Sequence, residues 1–140
     1  MATNKARTRC ISSVCLMVLW VTLFHIPVLS YGEEIDVAID ISPATLNIQS
    51  CGTVVTVHTD ISYSAVAFTT VYLNGVAIKS WKADDCGYFV AKFSMDEIKM
   101  LDGLIIGDYN TLTLLGLTTD GEPFVGTNDI RVIDIVPSGK

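Results

Sequence analysis

The chain has 140 residues, half of them hydrophobic, and carries 15 acidic side chains against nine lysines and arginines for a net charge of −6. That length holds one domain of ordinary size together with a targeting segment, and leaves no room for a second core. The acidic balance sets the chain apart from proteins that bind nucleic acid through a basic surface.

The first thirty or so residues have the three-part layout of a secretory signal. Lys5, Arg7 and Arg9 form a basic start, and residues 11–29 are mostly apolar, with no charge from 14 to 24. His25 and Pro27 then interrupt the run, and Ser30 and Gly32 put small side chains at the third and first positions before a cut after Gly32. About 20 apolar residues can cross a bilayer, but the interruption shortens this run and no basic stop-transfer cluster follows it. The expectation is a cleavable signal peptide over 1–32 and a domain over 33–140 with no membrane span of its own. The protein is then secreted, extracellular or on the cell surface, or held in a periplasm.

Removing the leader takes away three bases and no acid, so residues 33–140 hold 15 acids against six bases, a net charge of −9. It also takes Cys10 and Cys15, leaving Cys51 and Cys86, 35 positions apart. In an oxidising compartment such a pair forms a structural disulfide worth about 3–4 kcal/mol in the chain-entropy account. A redox or metal pair is the competing use, but it favours close spacing and histidine partners. Two unpaired buried thiols are the third reading.

In chain order, Ile35, Val37, Ile39 and Ile41 alternate with Glu34, Asp36, Ala38 and Asp40, the period of a half-buried strand. Ser42-Pro43 breaks it, Leu46 and Ile48 continue briefly, and Ser50-Cys51-Gly52 turns. Residues 53–59 are β-branched at nearly every position and read as a clean strand. His58 lies near Asp60, Ser62 and Ser64, but neighbours on a strand alternate faces, and a strand-end histidine is the reading preferred over Ser-His-Asp chemistry. Residues 65–81 read as a hairpin turning at Asn74-Gly75, the pair favoured where both central residues need positive φ. Trp81 follows as a core plug or a binding-face aromatic.

Lys82 to Gly87 form a loop whose Asp84 and Asp85 are weak candidates for a cation, since calcium takes six to eight oxygens; no metal and no cofactor is expected. Residues 88–93 are another strand. Ser94 then caps a short helix with Asp96 and Glu97 in its first turn and Gly103 after its end. Adjacent acids on a helix diverge, so Asp96 and Glu97 do not form a catalytic pair. Thr111 to Leu117, Phe124 to Gly126, and 129–136 complete the strands, with Asp120-Gly121 as a turn. Ile130 and Val132 on one side and Ile133 and Ile135 on the other make the last strand apolar on both faces. The fold class expected is all-β: an Ig-like antiparallel β-sandwich with one short helix between strands.

Several segments together resemble a family of secreted β-sandwich modules, often repeated, in extracellular proteins of bacteria and archaea. They are Ile39-Asp40-Ile41-Ser42-Pro43-Ala44-Thr45-Leu46-Asn47, Val90-Ala91-Lys92-Phe93, and Asp120-Gly121-Glu122-Pro123-Phe124-Val125-Gly126 with Asp129-Ile130-Arg131-Val132. The resemblance implies a non-catalytic surface module of the kind placed beside adhesive or cellulose-degrading machinery. Members carry an aspartate- and glycine-rich turn where this chain has Asp84-Asp85-Cys86-Gly87. The resemblance thus implies a Cys51–Cys86 tether in place of an ion.

The function expected is a non-catalytic extracellular structural or interaction module with a protein partner or itself as partner. One form is a filament subunit whose first strand, with Ile35, Val37, Ile39 and Ile41, adds to the sheet of the next copy. The alternative is a ligand-binding module, carbohydrate-recognising or calcium-dependent, using Trp81, Tyr63, Tyr72 and Tyr88.

Overall fold

The computed structural model describes residues 32–138. The signal peptide expected over 1–32 therefore lies outside the described residues, apart from Gly32. In chain order the strands are β1 (Ile35–Asp36), β2 (Ile39–Ser42), β3 (Thr45–Asn47), β4 (Val54–Ser62), β5 (Val66–Leu73), β6 (Val76–Ala77), β7 (Ser80–Ala83), β8 (Tyr88–Ser94), β9 (Tyr109–Thr118) and β10 (Pro123–Ile133). One five-residue helix, α1 (Met95–Lys99), follows β8, and a 3-10 turn at Tyr63–Ala65 joins β4 to β5.

The strands form two packed sheets. Sheet A runs β1-β10-β9-β5-β6, with β3 pairing further along β10; sheet B runs β2-β4-β8-β7. Neighbours within sheet B are all antiparallel, and in sheet A only the short β1 and β3 run parallel to β10. This is the connectivity of an Ig-like sandwich, with the second and fifth long strands (β4 and β8) central in one sheet and the last two beside the third in the other.

The period-two pattern explains the core. Val55 and Val57 on β4, Phe89, Ala91 and Phe93 on β8, Val71 and Leu73 on β5, Leu112 and Leu114 on β9, and Phe124, Ile130 and Val132 on β10 are buried in one apolar cluster. Full burial of such a side chain contributes about 1.5–3 kcal/mol each. Buried polar groups are satisfied inside it: the Thr59 hydroxyl donates to the Phe89 carbonyl at 2.6 Å, and the Asn110 side chain ties the 105–108 turn through Ile105 and Asp108.

Three details differ from the sequence reading. The single strand expected over 34–41 divides, β1 joining sheet A and β2 sheet B, with Val37 and Ala38 crossing between them. Gly126 permits that crossing, because a Cβ there would lie 2.6 Å from both the Val37 carbonyl oxygen and the Ile39 Cγ2. The segments expected at 124–126 and 129–136 join in one eleven-residue strand, β10, which begins at Pro123 and ends at Ile133, short of 134–136. Ser94 holds the N-cap position of α1 in extended conformation, but its side chain makes no cap hydrogen bond. The Asn74-Gly75 turn forms as expected, with φ of 46° and 85°, pairing Tyr72 with Ala77 and Leu73 with Val76.

Candidate interaction surfaces

Strand alternation that fills the core also decides what each sheet shows to solvent. On sheet A, cross-strand pairing lines up Ala77, Tyr72, Leu115, Val125 and Asp36 in one row, and Ala67, Leu117 and Pro123 in the next. Tyr72, Leu115 and Leu117 are 43%, 49% and 39% exposed. An apolar surface therefore crosses the outer face of this sheet.

Sheet B is different. Its outward rows that cross all four strands are Asp40–His58–Val90–Lys82 and Ser42–Thr56–Lys92–Ser80. The one aliphatic residue among them, Val90, is fully buried among polar neighbours. At the edge of this sheet all four residues of β7 are exposed. There Trp81 stacks on Phe68 at 5.1 Å and 19°, and Phe68 in turn meets Phe89 and Tyr63. Trp81 is thus neither a core plug nor free: one face closes the gap between the sheets and the rest meets solvent.

The sequence-predicted site residues fall as follows. Ile35 is half-buried, and Val37, Ile39 and Ile41 are buried in the chain's own core, so the first strand is docked in its own sheets. Trp81 and Tyr63 belong to the Phe68 cluster, Tyr72 lies on the outer face of sheet A, and Tyr88 is exposed at the start of β8. These four aromatics form no common platform.

The disulfide is also corrected. Cys51 and Cys86 are both free and exposed. Cys51 lies just before Val54, at the end of β4 where Val54 pairs with Ser94, and Cys86 just before Tyr88, at the end where Ser62 pairs with Tyr88. Lys99 of α1 bonds the Ser50 carbonyl at 2.6 Å, fixing the Cys51 segment at that pole. Nine strand residues separate the poles, about 26 Å at some 3.3 Å per residue, whereas a disulfide needs Cα atoms within about 7 Å. An intrachain Cys51–Cys86 bond is excluded by this fold.

In the Asp84–Gly87 turn, Asp84 Oδ1 accepts the Cys86 and Tyr88 amides at 2.9 and 2.8 Å. The residue that the calcium reading singled out thus closes its own loop, and Asp85 stands beside it in the turn. Among the described residues, no three His, Cys, Asp or Glu side chains are grouped to hold an ion. His58 sits mid-strand facing Asp40 across the ladder, while the Ser62 and Ser64 hydroxyls contact each other at 3.1 Å. An open depression of about 430 Å³ lies between Ala77, Ile78 and Lys79 on one side and Ser94 and Glu97 on the other.

No protein-family model and no curated protein matches this chain. Among solved structures, one concerned with host cell surface retention of a 1.5-MDa bacterial ice-binding adhesin is similar over 72% of this chain and 32% of that chain, at 15% identity and a TM-score of 0.35. This chain therefore spans about a third of that chain's length.

Sequence reasoning missed the outer face of sheet A. The signal was present in Thr113-Leu114-Leu115-Gly116-Leu117: Leu115 and Leu117 share one strand face, which Leu112 and Leu114 do not. Gly116 completes the pattern from inside, since a Cβ there would lie 2.4 Å from Phe124 Cζ. The ring of Phe124 occupies the space that a side chain at 116 would need.

Proposed function

We propose that this protein is an exported, non-catalytic structural module of the cell surface that associates with copies of itself, of the same general kind as the β-sandwich modules its motifs resemble. The observation that carries the reading is the apolar outer face of sheet A, where Tyr72, Leu115 and Leu117 stand exposed in adjacent rows. Contiguous apolar patches on the surface of a soluble domain are often functional, and large ones mark interaction sites. The net charge of −9 on residues 33–140 keeps individual copies dispersed, so association depends on a specific surface rather than on general stickiness.

The test is the size of the exported protein, purified after expression of the full chain, by sedimentation over a wide concentration range. Concentration-dependent growth that weakens in the Leu115→Ser, Leu117→Ser double variant supports the reading. A monomer at every concentration contradicts it.

A further inference from the structure

Sheet B ends on two unlike strands that are complementary to each other. Neither β2 nor β7 has a partner on its outer side among the described residues. Three cross-strand rows run the full width of the sheet between them: Ser42–Thr56–Lys92–Ser80, Ile41–Val57–Ala91–Trp81 and Asp40–His58–Val90–Lys82. Each row begins and ends in matching chemistry. Serine faces serine, a β-branched aliphatic faces an aromatic, and an acid faces a base.

Direction agrees with chemistry. Sheet B has four strands with antiparallel neighbours throughout, so β2 and β7 run in opposite directions. A second copy related by a screw along the sheet therefore sets its β2 antiparallel to β7, which continues the alternation.

We infer that sheet B propagates from copy to copy through this edge, a deepening that rests on the self-association reading above. β7 of one copy pairs with β2 of the next, placing Ser80 opposite Ser42, Trp81 opposite Ile41 and Lys82 opposite Asp40 of the next copy. Opposite charges and aromatic–β-branched pairs are the stabilising cross-strand combinations. The half-exposed Trp81 gains a cover on the side that Phe68 leaves open.

Charge also selects which edges meet. Residues 33–140 hold six bases, and three of them, Lys79, Lys82 and Lys92, lie on or beside β7, whereas Glu33, Glu34, Asp36 and Asp40 line the first two strands. Joining β7 to β7 or β2 to β2 gathers like charges, the arrangement by which edge strands avoid pairing. A contact between unlike surfaces does not close on itself in a dimer and generates an open chain. The twist of about 20–25° per strand winds successive copies around a common axis.

Trp81 is the one tryptophan of residues 33–140 and reports the joint. In the exported protein, raising the concentration is expected to produce assembly with a blue shift of Trp81 emission and protection from acrylamide. Lys82→Glu alone and Asp40→Lys alone are each expected to raise the concentration for half-assembly about tenfold or more, and mixing the two variants in equal amounts to restore it. Both positions are exposed, so unchanged circular dichroism and unfolding midpoints show that the variants fold. If the protein assembles but either variant matches the parent, or mixing restores nothing, the edge pairing is overturned while self-association stands. If the parent is monomeric throughout, the self-association reading fails and the edge pairing falls with it.

Discussion

The inner faces of the two sheets contribute to one core, yet their outer faces differ in kind. Sheet A shows water an apolar band through Tyr72, Leu115 and Leu117, while sheet B shows mainly Asp40, His58, Lys82 and Lys92, with Val90 fully covered, Val54 partly covered and Tyr88 exposed at one end. On the proposed reading the sheets have separate outward tasks: the face of A offers area without direction, and the edges of B offer direction with little area.

The shared core sets the scale for breaking that comparison. Phe93 is fully buried against both sheets, and Phe93→Ala is expected to cost about 3–5 kcal/mol in denaturant unfolding. Gly126→Ala forces a Cβ against the Val37 backbone oxygen at the crossing between β1 and β2. A backbone atom cannot swing aside, so a loss of about 1–3 kcal/mol is expected by the same measurement. Leu115→Ser with Leu117→Ser sharpens the contrast between the faces: unfolding free energy changes by less than about 1 kcal/mol, while association weakens. A core-sized loss there would mean that the outer face of A is structural.

The smallest expected effect concerns the two poles. Cys51→Ser and Cys86→Ser each shift stability by no more than about 0.5 kcal/mol under oxidising conditions, whereas loss of a disulfide costs about 2–5 kcal/mol. Titration of the native protein with a thiol reagent is expected to find both Cys51 and Cys86 reactive. Their protection in the native monomer would reinstate the bond.

Much of the fold was legible in the sequence because it rests on local physics. Alternation named β2, β4 and β8, the Asn74-Gly75 pair fixed a hairpin, and a serine followed by two acids marked the start of α1. What failed was long-range. The cysteines are separated by three passes across the sandwich, namely β4, β5 and the β6–β7 run, and an odd number of passes places them at opposite poles. Loop-closure reasoning weighs the length of a loop and not this parity. The division of β1 from β2 was hidden for a related reason: the apolar alternation from Ile35 to Ile41 is unbroken, and only the space at Gly126, ninety residues away in the sequence, makes the crossing feasible. The matching of the two edges of sheet B was out of reach, since it depends on register across four strands. Asp40 and Lys82 are unremarkable one at a time, and Trp81 stands out in the sequence only as an aromatic.

Hydrogen exchange resolved by residue, in the exported protein at low and high concentration, tests the central claim most directly. The account predicts that slowing on assembly falls on the amides of β2 (Ile39–Ser42) and β7 (Ser80–Ala83) together, because each supplies the ladder that the other lacks. Slowing confined to β9 and β10 beneath the outer face of sheet A, with β2 and β7 unchanged, would contradict the edge pairing and leave the face of sheet A as the contact.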